Sequence, residues 1–220
     1  MGAPSRPTAG SDTRDRILRA AEALFAERGI NGVSLREVNR EAQQHNTGAV
    51  QYHFGDRDGL IRAVVDKHRF DSEPRRFALL EQYEESGDDD LRALTAALVQ
   101  PIAAKLNDPD GGRSYLQVAG EFYSRPVTFK EIFPAPDPTN SMSRWNELLD
   151  ALDPRPRLAQ RVAAIRFTFA ELGRRAAEEP NDEDRLFVSH LVDMAHALLA
   201  SQPSPQTVRL RARKKPLPPA

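Results

Sequence analysis

The stretch NTGAVQYHFGDRDGL over residues 46–60 constrains this chain more than any other. It reads as a short helix opened by small polar residues, closed by aromatic and histidine side chains, and broken at Gly55 before a new helix starts at Asp56. Two helices precede it. Helix 1 runs from Asp12 or Thr13 to Arg28, with Ile17, Leu18, Ala21, Leu24 and Phe25 forming an apolar stripe at helical spacing. Gly29 ends it in the expected C-terminal position. Ser34 opens helix 2 and Glu37 completes a capping box, with Leu35, Val38 and Ala42 facing inward. Asn46 is the best N-cap for helix 3, which spans Thr47 to His53 and buries Ala49 and Val50. Helix 4 follows from its Asp56 cap through Leu60, Ile61, Val64 and Val65 towards Phe70.

Three helices joined by tight turns, the third short and polar, are a helix-turn-helix arrangement suited to a DNA major groove. The chemistry of the exposed face agrees with that use. Gln51 can make bidentate contact with adenine, and Thr47 can touch a thymine methyl or a phosphate. Gly48 lets a strand approach the backbone. Tyr52, His53 and Arg57, at the ends of helices 3 and 4, are placed to donate to phosphates and set register. The same arrangement also occurs in purely structural bundles. A small-molecule-binding or scaffold protein whose front unit is only structural therefore stays open as the alternative.

Charge is uneven along the chain. Residues 1–70 carry 11 basic against 9 acidic side chains, residues 71–200 carry 15 against 23, and the last twenty carry 5 basic and no acidic ones. A mildly basic front on an acidic body is consistent with DNA contact confined to one end. Hydrophobic content of 40% excludes global disorder, and apolar runs such as residues 195–200 are too short to span a bilayer. With no cysteine there are no disulfides and no thiolate ligands, which fits a cytoplasmic protein without membrane contact. Enzyme chemistry finds little support. His45, His53, His68, His190 and His196 lack metal-ligand spacing, and the run Asp88, Asp89 and Asp90 suits an acidic turn and cap. No Gly-rich phosphate loop follows a strand. The expectation is a non-enzyme with no catalytic residues, metal or cofactor.

The segment from Thr13 to Leu60 resembles the DNA-binding domain of the TetR family of bacterial transcriptional regulators. RDRILRAAEALFAERG at residues 14–29 is similar to that family's first helix. SLREV at 34–38 is similar to its second, and YHFGDRDGL at 52–60 to its third-to-fourth helix junction. By the resemblance, Asn46 takes the place of the usual serine cap and Thr47 begins the recognition helix. Gln51, Tyr52 and His53 fall at DNA-facing positions, Arg57 replaces a phosphate-binding lysine, and Arg36 lies near the groove edge. Two departures stand out. The turn before helix 3 is one residue longer and lacks its glycine, and Gln51 sits where a tyrosine is common.

Beyond Phe77 the pattern is helical, with expected helices over about 74–85, 90–106, 112–124, 126–131, 140–150, 156–179 and 182–201. The fold class is all-α: an N-terminal helix-turn-helix three-helix DNA-binding domain joined to a larger C-terminal helical effector-binding and dimerisation domain. The expected divisions are a flexible arm over 1–11, the DNA-binding domain over 12–58, the helical domain over 59–201, and a disordered basic Pro-rich tail over 202–220. The resemblance implies a body pocket for a small apolar effector, for which Tyr115, Phe122, Phe129, Trp145 and Phe169 are the aromatic candidates and Glu121, Arg144, Asn146 and His190 the polar ones. A domain reading a palindrome needs a two-fold partner. The apolar faces of the last two helices could pack within the subunit as core. The resemblance implies instead a four-helix bundle with their copies, and those faces centre the expected interface on Phe169, Leu172, Phe187, Leu191, Met194 and Leu198. The function expected is a repressor that binds a pseudo-palindromic double-stranded DNA operator as a homodimer and is released by an unidentified small-molecule effector.

Overall fold

A computed structural model describes residues 9–44, 48–126, 137, 139–153, 158–180 and 183–213. Among these residues the chain is all-α. In chain order the helices are α1 (Ala9–Arg28), α2 (Leu35–Glu41), α3 (Ala49–Phe54), α4 (Arg57–Ser86), α5 (Leu91–Ala103) and α6 (Gly112–Ser124). They continue with α7 (Ser141–Leu152), α8 (Leu158–Ala176), α9 (Asp184–Ala200) and α10 (Pro205–Arg213), and a 3-10 turn over Ala104–Asn107 follows α5. None of these helices is long and apolar enough to cross a membrane.

The front unit forms where local signals agree. Ile17, Leu18, Ala21, Leu24 and Phe25 are all buried on one face of α1, against Ile30, Val33, Val38, Val50, Leu60 and Val64. Gly29 takes φ +74°, which a side chain would resist, and so turns the chain out of α1. Ser34 and Glu37 make the reciprocal capping box: Glu37 N donates to Ser34 Oγ at 3.3 Å, and Ser34 N donates to Glu37 Oε2 at 2.8 Å. That backbone donor holds the Glu37 carboxyl down from its ordinary 4.5 to about 2, with the Ser34 hydroxyl and Arg28 acting the same way.

Three boundaries differ from the sequence reading. Helix 1 starts at Ala9, earlier than Asp12, so part of the expected arm is helical. Pro74 does not separate two helices, because α4 runs unbroken for 30 residues to Gly87. A mid-helix proline removes one donor and costs about 3 kcal/mol. Buried Val64, Val65 and His68 before it and Arg76 and Leu80 after it anchor both sides of α4 to the body. The expected disordered tail carries α10, with Val208 and Leu210 exposed. The expected helix over 126–131 falls almost wholly outside the described residues.

The body packs α6 against α8 most extensively, with α5 between α4 and α9. The α6–α8 crossing is close because both helices carry glycine there. A Cβ on Gly120 would lie 2.8 Å from Phe169 O, and one on Gly173 would lie 2.9 Å from Leu116 O. Trp145 is fully buried beneath α5 and donates from Nε1 to Leu94 O at 2.8 Å. Its polar atom is thus satisfied inside an apolar core.

Candidate nucleic-acid interface and body cavity

The third helix has two unlike faces. Ala49 and Val50 are buried, and Gln51 and Tyr52 face solvent, Tyr52 with 85% of its surface exposed. A tyrosine so exposed is available to a partner. Gly48 stands half-buried as the N-cap and supplies no side-chain cap, and Asn46 and Thr47 lie outside the described residues. Arg36 is exposed on α2. His53 is half-buried, its ring edge-on to Tyr52 at 5.0 Å. The Phe54 ring carries the Arg14 guanidinium above it at 5.2 Å, which ties the end of α3 to α1. Gly55 then reverses the chain at φ +77°, and Asp56 accepts from Gly59 N at 2.7 Å to start α4.

Arg57 has a different setting from the one expected of a phosphate clamp. Its guanidinium turns inward and donates to Val33 O at 2.5 Å and to Ile30 O, bracing the turn between α1 and α2. From the other side Glu121 of α6 accepts from Ile30 N at 2.7 Å. Glu121, a polar candidate for orienting a ligand in the body, instead grips the front unit and is not part of the cavity wall. Ninety-one residues separate it from Ile30, and no local pattern announces such a contact.

The cavity behind this junction encloses about 310 Å³. It draws on α4 (Arg62, Val65, Asp66, Ser72, Arg76), α5 (Leu98, Ile102), α6 (Tyr115, Phe122, Tyr123), α7 with its cap (Met142, Asn140) and α8 (Ile165, Phe169). Of the five aromatic candidates, Tyr115, Phe122 and Phe169 line it. Trp145 is sunk in the core elsewhere, and Phe129 lies outside the described residues. Tyr123 was not among those candidates, yet it stacks on Phe169 at 4.2 Å and forms part of the wall.

The expected dimer residues divide as well. Leu172, Leu191 and Phe169 are buried within the subunit, Phe187 and Leu198 are half-buried, and Met194 is exposed. The exposed large apolar side chains on α8 and α9 are Leu158, Leu186 and Met194. His68, Asp71 and Asp108 approach one another as metal ligands would. Lys105 already fills the cation position, with its ammonium 2.6 Å from Asp71 Oδ2 and 2.7 Å from Asp108 Oδ2.

These features define a helix-turn-helix module on an all-α body that holds an internal cavity. The family described as bacterial regulatory proteins, tetR family, matches residues 17–64. The repressor BepR of Brucella suis is 36% identical over 63 residues, 29% of this chain and 30% of that protein. The repressor Rv3405c of Mycobacterium tuberculosis is 42% identical over 60 residues, 27% of this chain and 31% of that protein. The N-terminal unit, over residues 17–64, is thus similar to the DNA-binding part of the TetR family of bacterial regulatory proteins. These sequence matches span only about a third of each relative's length. Over the whole chain the likeness is one of fold. NalD of Pseudomonas aeruginosa, the secondary repressor of the MexAB-OprM multidrug efflux pump, superposes with a TM-score of 0.54 at 23% identity, covering 84% of this chain and 96% of NalD. A TetR-family regulator from Mesorhizobium loti gives 0.51 at 16% identity, covering 88% and 98%.

Proposed function

We propose that the protein is a transcriptional regulator that represses by occupying a pseudo-palindromic operator as a homodimer and leaves it when a small molecule enters the body cavity. The observation that carries this reading is α3, anchored by Ala49 and Val50 and presenting Gln51 and Tyr52 outward. Gln51 would read a base edge, with Gly48, Tyr52, His53 and Arg36 in support. Asn46 and Thr47 keep the cap and lead positions that the family resemblance gives them. Arg57 acts chiefly by fixing the turn that carries α2. Repression by the relatives BepR and Rv3405c supports the sign of regulation.

A dimer would form through α8 and α9, with Leu158, Leu186 and Met194 at the seam and Phe187 and Leu198 at its edge. Leu172 and Leu191 would support that seam from within the subunit. Coupling would run along α4, which starts at the end of α3 and lines the cavity from Arg62 to Arg76. A second route is α6, where Tyr115, Phe122 and Tyr123 face the cavity and Glu121 grips the front unit. A ligand shifts DNA affinity only through different affinities for the two arrangements of those helices.

The test is selection of genomic fragments by the full-length protein, followed by sedimentation of the free protein. The proposal expects an enriched two-fold site and a dimer that Leu186→Glu with Met194→Glu splits while the subunit stays folded. A monomeric wild type with no enriched fragment would favour a small-molecule-binding or scaffold protein instead.

A further inference from the structure

Three hydrogen-bond donors line the cavity without an acceptor among the described residues. Arg76 is 3% exposed and lines the cavity. Its Nε donates to Ala97 O at 3.1 Å and its Nη1 to Ser141 Oγ at 2.8 Å. A guanidinium has five N–H donors, and among the described residues the Nη2 group finds no acceptor. Asn140, 8% exposed, spends its Oδ1 on Met142 N and Ser143 N, which fixes the amide so that its NH2 faces away from those donors. That NH2 also lacks an acceptor among the described residues. Tyr115, 4% exposed, likewise has a hydroxyl with no partner there, and burial pushes its ionisation well above the ordinary tyrosine value, so it stays a donor. All three residues line one cavity.

Arg76 is also a buried charge that makes no direct salt bridge among the described residues. Burial works against its protonated form, but a guanidinium retains its proton even so. Glu73, three residues earlier on α4, attracts it electrostatically. Glu73 nevertheless spends Oε2 on Ser141 N at 2.5 Å and makes no ion pair with Arg76 among the described residues. Asp66 and Arg62 are the other charged groups of the wall, and both are exposed. A buried cation left this way is costly unless something pairs with it.

We infer that the cavity takes an amphipathic organic anion, with a carboxylate or sulfonate head on Arg76, Asn140 and Tyr115 and an apolar body against Leu98, Ile102, Phe122, Ile165 and Phe169. This rests on the reading of the cavity as the effector site and adds the charge of the effector to it. A planar guanidinium suits an oxyanion because two parallel N–H donors match two oxygens. The stacked Tyr123 and Phe169 rings give the apolar part an aromatic wall.

Two fluorescent probes of like shape separate the possibilities: anilinonaphthalene sulfonate, an anion, and phenylnaphthylamine, its neutral counterpart. Both are titrated into the full-length wild type, Arg76→Met and Arg76→Lys, with circular dichroism as the check on folding. The wild type should prefer the anion by about tenfold or more, and Arg76→Met should erase that preference while neutral binding persists. Arg76→Lys, which keeps charge but loses the fork, should fall between them. Equal wild-type affinity for the two probes, or anion binding unchanged in a folded Arg76→Met, overturns the inference and leaves the effector cavity standing. Binding of neither probe overturns the cavity reading as well. The wild-type comparison decides the matter even if Arg76→Met does not fold.

Discussion

The front unit and the body solve opposite problems with polar side chains. In the front unit the candidate reading residues Gln51, Tyr52 and Arg36 face solvent, while the buried Glu22 and Asn39 and the inward-turned Arg57 belong to the frame behind them. In the body the candidate binding residues are drawn inside, with Arg76, Tyr115 and Asn140 buried around a cavity. A surface reader can be built from one short stretch of chain, because neighbours in sequence are neighbours in space. A cavity wall cannot. Its residues here come from five helices between residues 62 and 169.

That contrast predicts where substitutions will hurt stability and where they will hurt binding. The largest loss of stability belongs to the body core. Trp145→Ala removes a fully buried ring and its bond to Leu94 O, and should cost about 3–5 kcal/mol in urea unfolding. Arg57→Ala comes next, at about 1.5–3 kcal/mol, because a charged donor to two carbonyls is lost. Were Arg57 only a phosphate contact, stability would hold and only the salt dependence of DNA binding would change. Glu121→Ala should cost about 1–2 kcal/mol by stranding Ile30 N–H, and hydrogen exchange at Ile30 should accelerate. An unchanged Ile30 would mean that α6 does not hold the front unit.

Smaller effects stay within the front unit. Ser34→Ala should cost about 1 kcal/mol as a lost N-cap. Because the Glu37 carboxyl is depressed to about 2, its part in the capping box is fully present above its ordinary 4.5. That part is lost as pH falls through about 2. A carboxyl titration by NMR with its midpoint near 4.5 would show that the box is open in solution. Smallest of all, Gln51→Ala should move stability by no more than about 0.5 kcal/mol, since its side chain is exposed.

Much of the fold was legible where the signal is local. The stripe from Ile17 to Phe25, the turn at Gly29 and the Ser34–Glu37 box each lie within a few residues and reappear as read. The junction at Gly55 and Asp56 does too. Legibility failed where distant packing decides. Pro74 looks like a break until both flanks of α4 are seen to be anchored. α9 is apolar on more than one side, so periodicity could not choose between burying Leu191 and burying Met194. The structure buries Leu191 with Val192, Ala195 and Leu199, and leaves Leu186 and Met194 outside. The roles of Arg57, Glu121 and Arg76 depend on partners between 21 and 91 residues away.

The central claim is that α3 reads a DNA sequence rather than merely completing the front core. Fluorescence anisotropy of wild type and Gln51→Ala, on a selected fragment and on the same fragment scrambled, tests it most directly. The account predicts that wild type discriminates between the two fragments. Gln51→Ala, equally stable, should lose about tenfold or more of that discrimination, as expected when one bidentate base contact is removed. Equal binding of both fragments by both proteins would contradict it.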